Sequence, residues 1–446
     1  MTQPDYDNLP DSYFIAWTVK TEGVILPEER LPAGQTALVG LQHVVAMFGA
    51  TVLAPLLMGF DPNVAIFFSG VATLIFFVVT GGRVPSYLGS SFAFIGPVLV
   101  ATGAAVAAGP NPQIGLALGG IVAAGAVYAI IGLIVIAAGH HWVEKLMPPV
   151  VTGGIVAAIG LVLAPIAIQS ASGIGPGNAD GSAFARWIAL ITVLAVGLCA
   201  VYAPGLARRI PILIGAVVGY LVYYVAANQM GYGAPIDFAK IGAASWFGLP
   251  NFTTPVFSAH AMVLIAPVAI VLVAENLGHI KAIGAMTGRN LDPWLGRAFL
   301  GDGVATIVSA FGGGTGVTTY AENMGVMAIT RIYSTALFVA AAIIALLLGF
   351  SPKFGALIQT IPGPVLGGLS IVVFGLIAAT AGRIWVENGV DFSRARNLIT
   401  VAVALVLGAG NFKLTIAGFT LDGIGTATFG CIILYHLLRG TDSSGD

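Results

Sequence analysis

Apolar residues run through this chain in long blocks, each closed by Gly, Pro or charged residues. The blocks are about 20 residues long, the length a helix needs to cross bilayer hydrocarbon. Barrel strands would instead read as short segments of alternating polarity. Taking the blocks between their punctuation predicts fourteen spans, near 37–59, 63–81, 85–102, 113–138, 148–168, 184–203, 208–227, 260–281, 297–311, 317–330, 334–350, 363–381, 397–411 and 423–439. The third and tenth are short and broken by Gly and polar residues.

Composition agrees with that pattern. Of 446 residues, 57% are hydrophobic and 8% are charged, against roughly 25% charged in a soluble domain. A soluble enzyme, a nucleic-acid binder and a disordered scaffold are excluded. The net charge of −1 gives no reason to expect an acidic or basic macromolecular partner. Charge position is more informative than charge total. With fourteen spans, fourteen of the 18 Lys and Arg fall on one side, and only Arg186, Lys240, Lys353 and Lys413 on the other. The positive-inside rule then puts both termini in the cytoplasm. Residues 1–36 are polar and acidic (Asp5, Asp7, Asp11, Glu22, Glu28, Glu29) and lack the apolar stretch of a signal peptide, so they read as a cytoplasmic tail. Cys199 and Cys431 lie inside apolar blocks and read as small core residues.

The two halves resemble one another. Residues 147–164 align without gaps on 361–378, matching Pro148 with Pro362, Val151 with Val365, and Gly153-Gly154 with Gly367-Gly368. Ser90-Ser91-Phe92-Ala93 aligns with Thr318-Thr319-Tyr320-Ala321 at a similar offset. Seven spans per copy means the second copy enters from the opposite side. The expected fold is therefore an all-α polytopic membrane protein of two inverted seven-span repeats, 37–227 and 260–440, joined by an extracytoplasmic linker over 228–259. Short strands are expected in the discontinuous spans 3 and 10, where irregular backbone at membrane depth must line a cavity or be buried in protein. Half-helix N-termini beside that cavity would offer free N–H donors.

Two acids stand apart from the tails and connections. Glu275 ends the run VLIAPVAIVLVAE, with His279 one helical turn on. Glu322 opens the tenth span. A carboxylate at membrane depth costs a few kcal/mol at least, so it marks a ligand or proton carrier before it marks a structural staple. Two carboxylates repel an anion and accept hydrogen bonds from a neutral ligand rich in N–H groups. Phe92 and Tyr320 offer rings to stack on a planar base. Gln42 and His43 of span 1, and Asn323 beside Glu322, are supporting polar candidates. Asp302 reads as a cap or an interfacial residue, and His140, His141, His260 and His436 as interfacial. No metal-ligand spacing, phosphate loop or nucleophile elbow occurs, so neither a metal nor another cofactor is expected, nor an enzyme or an ATP-driven pump.

These residues carry a resemblance. Gln42-His43 with Ala46-Met47-Phe48-Gly49-Ala50, Tyr87-Leu88-Gly89-Ser90-Ser91-Phe92-Ala93-Phe94, Ala274-Glu275 with Gly278-His279, and Thr318-Thr319-Tyr320-Ala321-Glu322-Asn323 with Gly325-Val326-Met327-Ala328 resemble the nucleobase:cation symporter-2 family, closest to its uracil and pyrimidine permeases. The resemblance runs from about residue 30 to 438. It implies a core domain of spans 1–4 and 8–11 moving against a gate domain of spans 5–7 and 12–14. It also implies proton-driven uptake across a bacterial inner membrane by a homodimer. Residue by residue, it implies that Glu275 holds the N–H edge of a pyrimidine and Glu322 binds its other side. The backbone at Phe92 and Ala321 would contact the base, Ser91 and Tyr320 would line the site, and His279 would join Glu275 and Glu322 in proton coupling. Purine-carrying relatives typically have Gln or Asn where Glu322 stands. Ala321 departs from the Gly of the best-known uracil permeases and adds a methyl at the pocket. A purine symporter of the same family is the alternative, with an anion exchanger of the same fold behind it.

Overall fold

The computed structural model describes residues 12–104, 109–174, 178, 180–205, 207–416 and 419–438. Asp5, Asp7, Asp11 and Arg439 lie outside the described residues. The helices are α1 (Ala33–Met58), α2 (Pro62–Val79), α3 (Ile95–Thr102), α4 (Ile114–Ala138), α5 (His141–Leu146), α6 (Pro149–Ser172), α7 (Ala183–Tyr202), α8 (Pro211–Tyr224) and α9 (Ala239–Ala243). They continue as α10 (Ala259–Ile265), α11 (Val268–Thr287), α12 (Leu295–Phe311), α13 (Ala321–Thr330), α14 (Thr335–Gly349), α15 (Pro352–Gln359), α16 (Gly363–Glu387), α17 (Ala395–Ala409) and α18 (Gly423–Leu437). Three two-stranded sheets pair β1 (Thr18–Val19) with β2 (Glu29–Arg30), β3 (Leu88–Ser90) with β4 (Val317–Thr319), and β5 (Leu414–Ile416) with β6 (Phe419–Leu421).

Local chemistry sets the helix ends. Asp61 caps α2 by accepting from Asn63 N at 2.8 Å, with Pro62 following. Proline also opens α6 and α8. Left-handed Gly59, Gly173 and Gly288 close α1, α6 and α11.

Among the described residues, eight helices are long and apolar enough to cross a membrane, or nine if α14 and α15, bent by 83°, form one span. The expected eighth span is α10 and α11, broken at Ala266-Pro267. The expected third and tenth positions hold β3 with α3, and β4 with α13.

The helices pack in two groups. In one, α4 crosses α12 and α2 packs on both α12 and α14. In the other, α6 lies against α16, α17 and α18 while α7 packs on α8 and α16. Lipid tails are as apolar as Leu, so close backbone approach supplies much of the adhesion. At the α4–α12 crossing a Cβ on Gly125 would sit 2.9 Å from Gly303 O, and one on Gly132 would run into Leu300 N. At the α6–α16 crossing a Cβ on Gly160 would sit 2.6 Å from Phe374 O. Cys199 and Cys431 are free and buried within the second group.

One expectation is corrected. Asp302 is neither a cap nor interfacial: it sits mid-way along α12 with none of its surface exposed. The helix starts at Leu295, and Gly301 and Gly303 bring neighbouring helices against that turn. Its burial is a product of helix packing, which hydropathy does not register.

Candidate functional site

Two interrupted segments cross at the middle of the first helix group. β3 and β4 are antiparallel, with Leu88 opposite Thr319, Gly89 opposite Thr318 and Ser90 opposite Val317. Ser91 N donates to Gly316 O at 2.9 Å and Tyr320 N to Tyr87 O at 3.0 Å, extending the ladder by one bond at each end. Glycine is required at position 89, because a Cβ there would lie 2.5 Å from the Tyr320 ring. Each strand leads into a helix start. Ser90 is followed by a 3₁₀ turn over Phe92–Phe94 and then α3, and Thr319 by α13. The first N–H groups of a helix have no intrahelical acceptor, so each start presents donors and a partial positive charge.

α11 packs beside this crossing and contributes Glu275 and His279. Glu275, His279 and Glu322 are each half-buried. α11 touches both α13 and the 3₁₀ turn that carries Phe92. The structure therefore brings Glu275, Glu322 and His279 together with the two helix starts that carry Phe92 and Ala321. Ala321 is exposed at the first turn of α13.

The remaining sequence candidates take different places. Ser91 is buried and accepts from Ala93 N, capping the 3₁₀ turn. Phe92 is 8% exposed and sets its ring edge-on to Phe374 of α16, 5.6 Å away, so it reaches the second helix group. Tyr320 is buried, with its hydroxyl donating to Ser90 O at 3.0 Å and accepting from Thr51 Oγ1 at 3.2 Å. Its hydroxyl fastens α1 to β3. Asn323 donates through Nδ2 to His43 Nδ1 at 2.9 Å and His43 O at 3.2 Å, so the His43 proton lies on Nε2. That Nε2 and the Gln42 Nε2 are buried without a protein partner among the described residues.

A polar chain behind the site was not read from the sequence. His279 Nδ1 lies 2.8 Å from Thr319 Oγ1, whose hydroxyl proton goes to Asn276 Oδ1 at 3.3 Å. His279 Nδ1 is therefore the donor and its Nε2 carries the lone pair. Asn276 Nδ2 donates to Asp302 Oδ2 at 2.7 Å and to Tyr128 OH at 2.9 Å. Asp302, Asn276 and Thr319 thus hold the His279 ring in one orientation. The only sequence signal for this chain was an acid among apolar residues of α12; Asn276 and Tyr128 had none.

Asp302→Leu would take the acceptor away from Asn276 Nδ2 and loosen that orientation. Leaving a buried amide donor unpaired costs about 1–3 kcal/mol. The expected result is normal protein yield with a lower melting temperature than the wild type, read by thermal unfolding of the purified protein.

His140, His141 and Glu144 also gather ligand-type atoms, at one end of the first group. Lys281 Nζ lies 2.6 Å from both Glu144 and Asp292, so its ammonium supplies the cation of that cluster.

Comparisons with known proteins agree with one another. Residues 34–416 match the profile described as Permease family. The chain is 61% identical to the putative pyrimidine permease RutG of Escherichia coli (strain K12), covering 95% of each chain. It is 42% identical to the uracil permease of Bacillus caldolyticus, over 94% of this chain and 95% of that one. Among solved structures, the transmembrane domain of the cyanobacterial bicarbonate transporter BicA matches with TM-score 0.62 and 16% identity, over 91% of this chain and 98% of that domain. The murine anion transporter Slc26a9 matches with TM-score 0.59 and 14% identity, over 91% of this chain and 68% of that one. At these identities the structural likeness is one of fold.

Proposed function

The chain belongs to the nucleobase:cation symporter-2 permease family, and from that premise we propose that it takes up uracil or a related pyrimidine by proton symport. It is a multi-pass membrane transporter rather than an enzyme. The observation that carries the reading is the pair Glu275 and Glu322, half-buried on touching elements beside two helix N-termini. Carboxylates accept from ring N–H groups, and helix N-termini donate to ring carbonyls, so both edges of a uracil find complements. Glu275 and Glu322 bind the base and, with His279, carry the coupled proton. Phe92 and the Ala321 backbone line the pocket, Ser91 and Tyr320 shape it, and Gln42, His43 and Asn323 support it. Relatives named for uracil and pyrimidine favour that substrate over a purine, the second reading.

The proposed architecture is fourteen spans in two inverted repeats, with short strands at the two interruptions. Its support is the pairing of contacts: α2 with α14 and α4 with α12 exchange under such a repeat, as do α6 with α17 and α7 with α16. The core holds spans 1–4 and 8–11 and slides or rocks against a gate of spans 5–7 and 12–14, in an inner-membrane homodimer with both termini cytoplasmic. An anion exchanger of the same fold is the weaker reading, because two carboxylates in the site would repel an anion.

The test is accumulation of labelled uracil in cells without their own permeases. Concentrative uptake that a protonophore stops is expected, and uptake indifferent to the proton gradient overturns symport. For the purified protein, uracil at a hundred times its dissociation constant should add about 2.7 kcal/mol of stability, against nothing from a non-ligand such as sulfate. Glu322→Gln should keep the fold and cut uptake by about ten-fold or more. Wild-type uptake by that variant removes Glu322 from the mechanism.

A further inference from the structure

Residues 13–30 form a strap across one end of the first helix group. One end of the strap grips the connection from α2 to β3. There Tyr13 OH donates to Val79 O at 2.8 Å, Ile15 N donates to Gly81 O at 3.2 Å, and Phe14 stacks on Phe77. The other end grips the connection from α13 to α14. Ile25 N donates to Arg331 O at 3.1 Å, Tyr333 N to Ile25 O at 2.7 Å, and Thr335 N to Pro27 O at 3.2 Å. Trp17 Nε1 joins the ends by donating to Thr335 Oγ1 at 3.0 Å. Glu28 pairs with Arg289 at the entry to α12. Ile25 is 1% exposed, as buried as the helix core.

The grip matters because of what α13 lacks. It is ten residues long, too short to be stable by itself. It buries only Asn323, Val326 and Met327, while Ala321, Gly325, Ala328 and Ile329 are exposed. Side packing therefore holds it on one face alone, through the Asn323 bonds to His43 and through Val326 and Met327, and its two ends supply the rest. The β3–β4 ladder holds its N-terminal end, and the strap holds Arg331, which closes its C-terminal end in the left-handed region at φ 54°.

We propose that residues 13–30 are a positioning element of the binding site: they clamp the entry to one interrupted segment and the exit from the other, and so set where α13 carries Glu322. The proposal rests on the reading of Glu322 as a substrate ligand. Two variants loosen the strap without touching the site. Trp17→Phe keeps the ring but removes the donor to Thr335. Gly81→Ala needs a left-handed alanine whose Cβ would collide with Tyr13 O.

Hydrogen exchange on the purified full chain, without substrate, reads α13 directly. Loss of one anchoring bond should speed exchange of the 321–330 amides by about ten-fold while α6 is unchanged. Uptake should show a KM for uracil raised about five-fold or more, with Vmax within about two-fold, since a displaced ligand weakens binding first. Unchanged α13 exchange in both variants overturns the proposal, as does a fall in Vmax with KM unmoved. If the wild type takes up no uracil, the substrate reading fails, and exchange alone still decides whether the strap orders α13.

Discussion

Glu275→Gln abolishes concentrative uptake, lowering it by about a hundred-fold or more, while the protein reaches the membrane in normal amount. The amide keeps the shape of the carboxylate but turns one acceptor into a donor toward the ring N–H that we propose it binds. A hydrogen bond to a charged group is worth about 1.5–3 kcal/mol, and a donor facing a donor adds the cost of an unmet polar group, so about 3 kcal/mol, or a hundred-fold, is the expected scale. The check is labelled uracil uptake beside a membrane blot, with uracil-dependent thermal stabilisation as the binding readout. Stabilisation as large as that of the wild type would place Glu275 outside the pocket.

Gly303→Leu yields no folded protein. Even a Cβ at this position would collide with Ala129 N and lie 2.8 Å from Gly125 O, and both are backbone atoms that cannot rotate aside. Overpacking of a side-chain contact costs about 1–3 kcal/mol. A backbone contact forces the whole α4–α12 crossing apart and forfeits the packing along it, which also moves Tyr128 and Asp302 on those two helices. Gly375→Ala is the control, because nothing lies within 4 Å of a Cβ there. A monodisperse peak in detergent for the control and an aggregate for Gly303→Leu are expected. A monodisperse Gly303→Leu with a wild-type melting temperature would mean that the two helices do not meet as described.

Much of the candidate site is visible in one dimension because bilayers penalise charge so heavily. Glu275 and Glu322 stood out as acids inside apolar blocks, and the interrupted segments stood out by their Gly, Ser and Thr. The supporting chemistry was hidden for a different reason. Tyr128 and Asn276 meet across 148 positions, Asn323 and His43 across 280, and Trp17 and Thr335 across 318. Nothing near Tyr128 in the chain marks it as a hydrogen-bond partner rather than a core aromatic. Asp302 was misread because its apolar block begins close before it, whereas its burial depends on the helices packed around α12.

The chain alone therefore establishes a membrane protein, its family and the two carboxylates, since hydropathy and residue type are properties of position along the chain. Only the folded molecule decides that Tyr320 is a fastener, that Asp302 aligns His279 through Asn276 and Thr319, and that residues 13–30 grip both interrupted segments. Each of these is a hydrogen bond between distant parts of the chain, and a donor's partner is set by where helices cross.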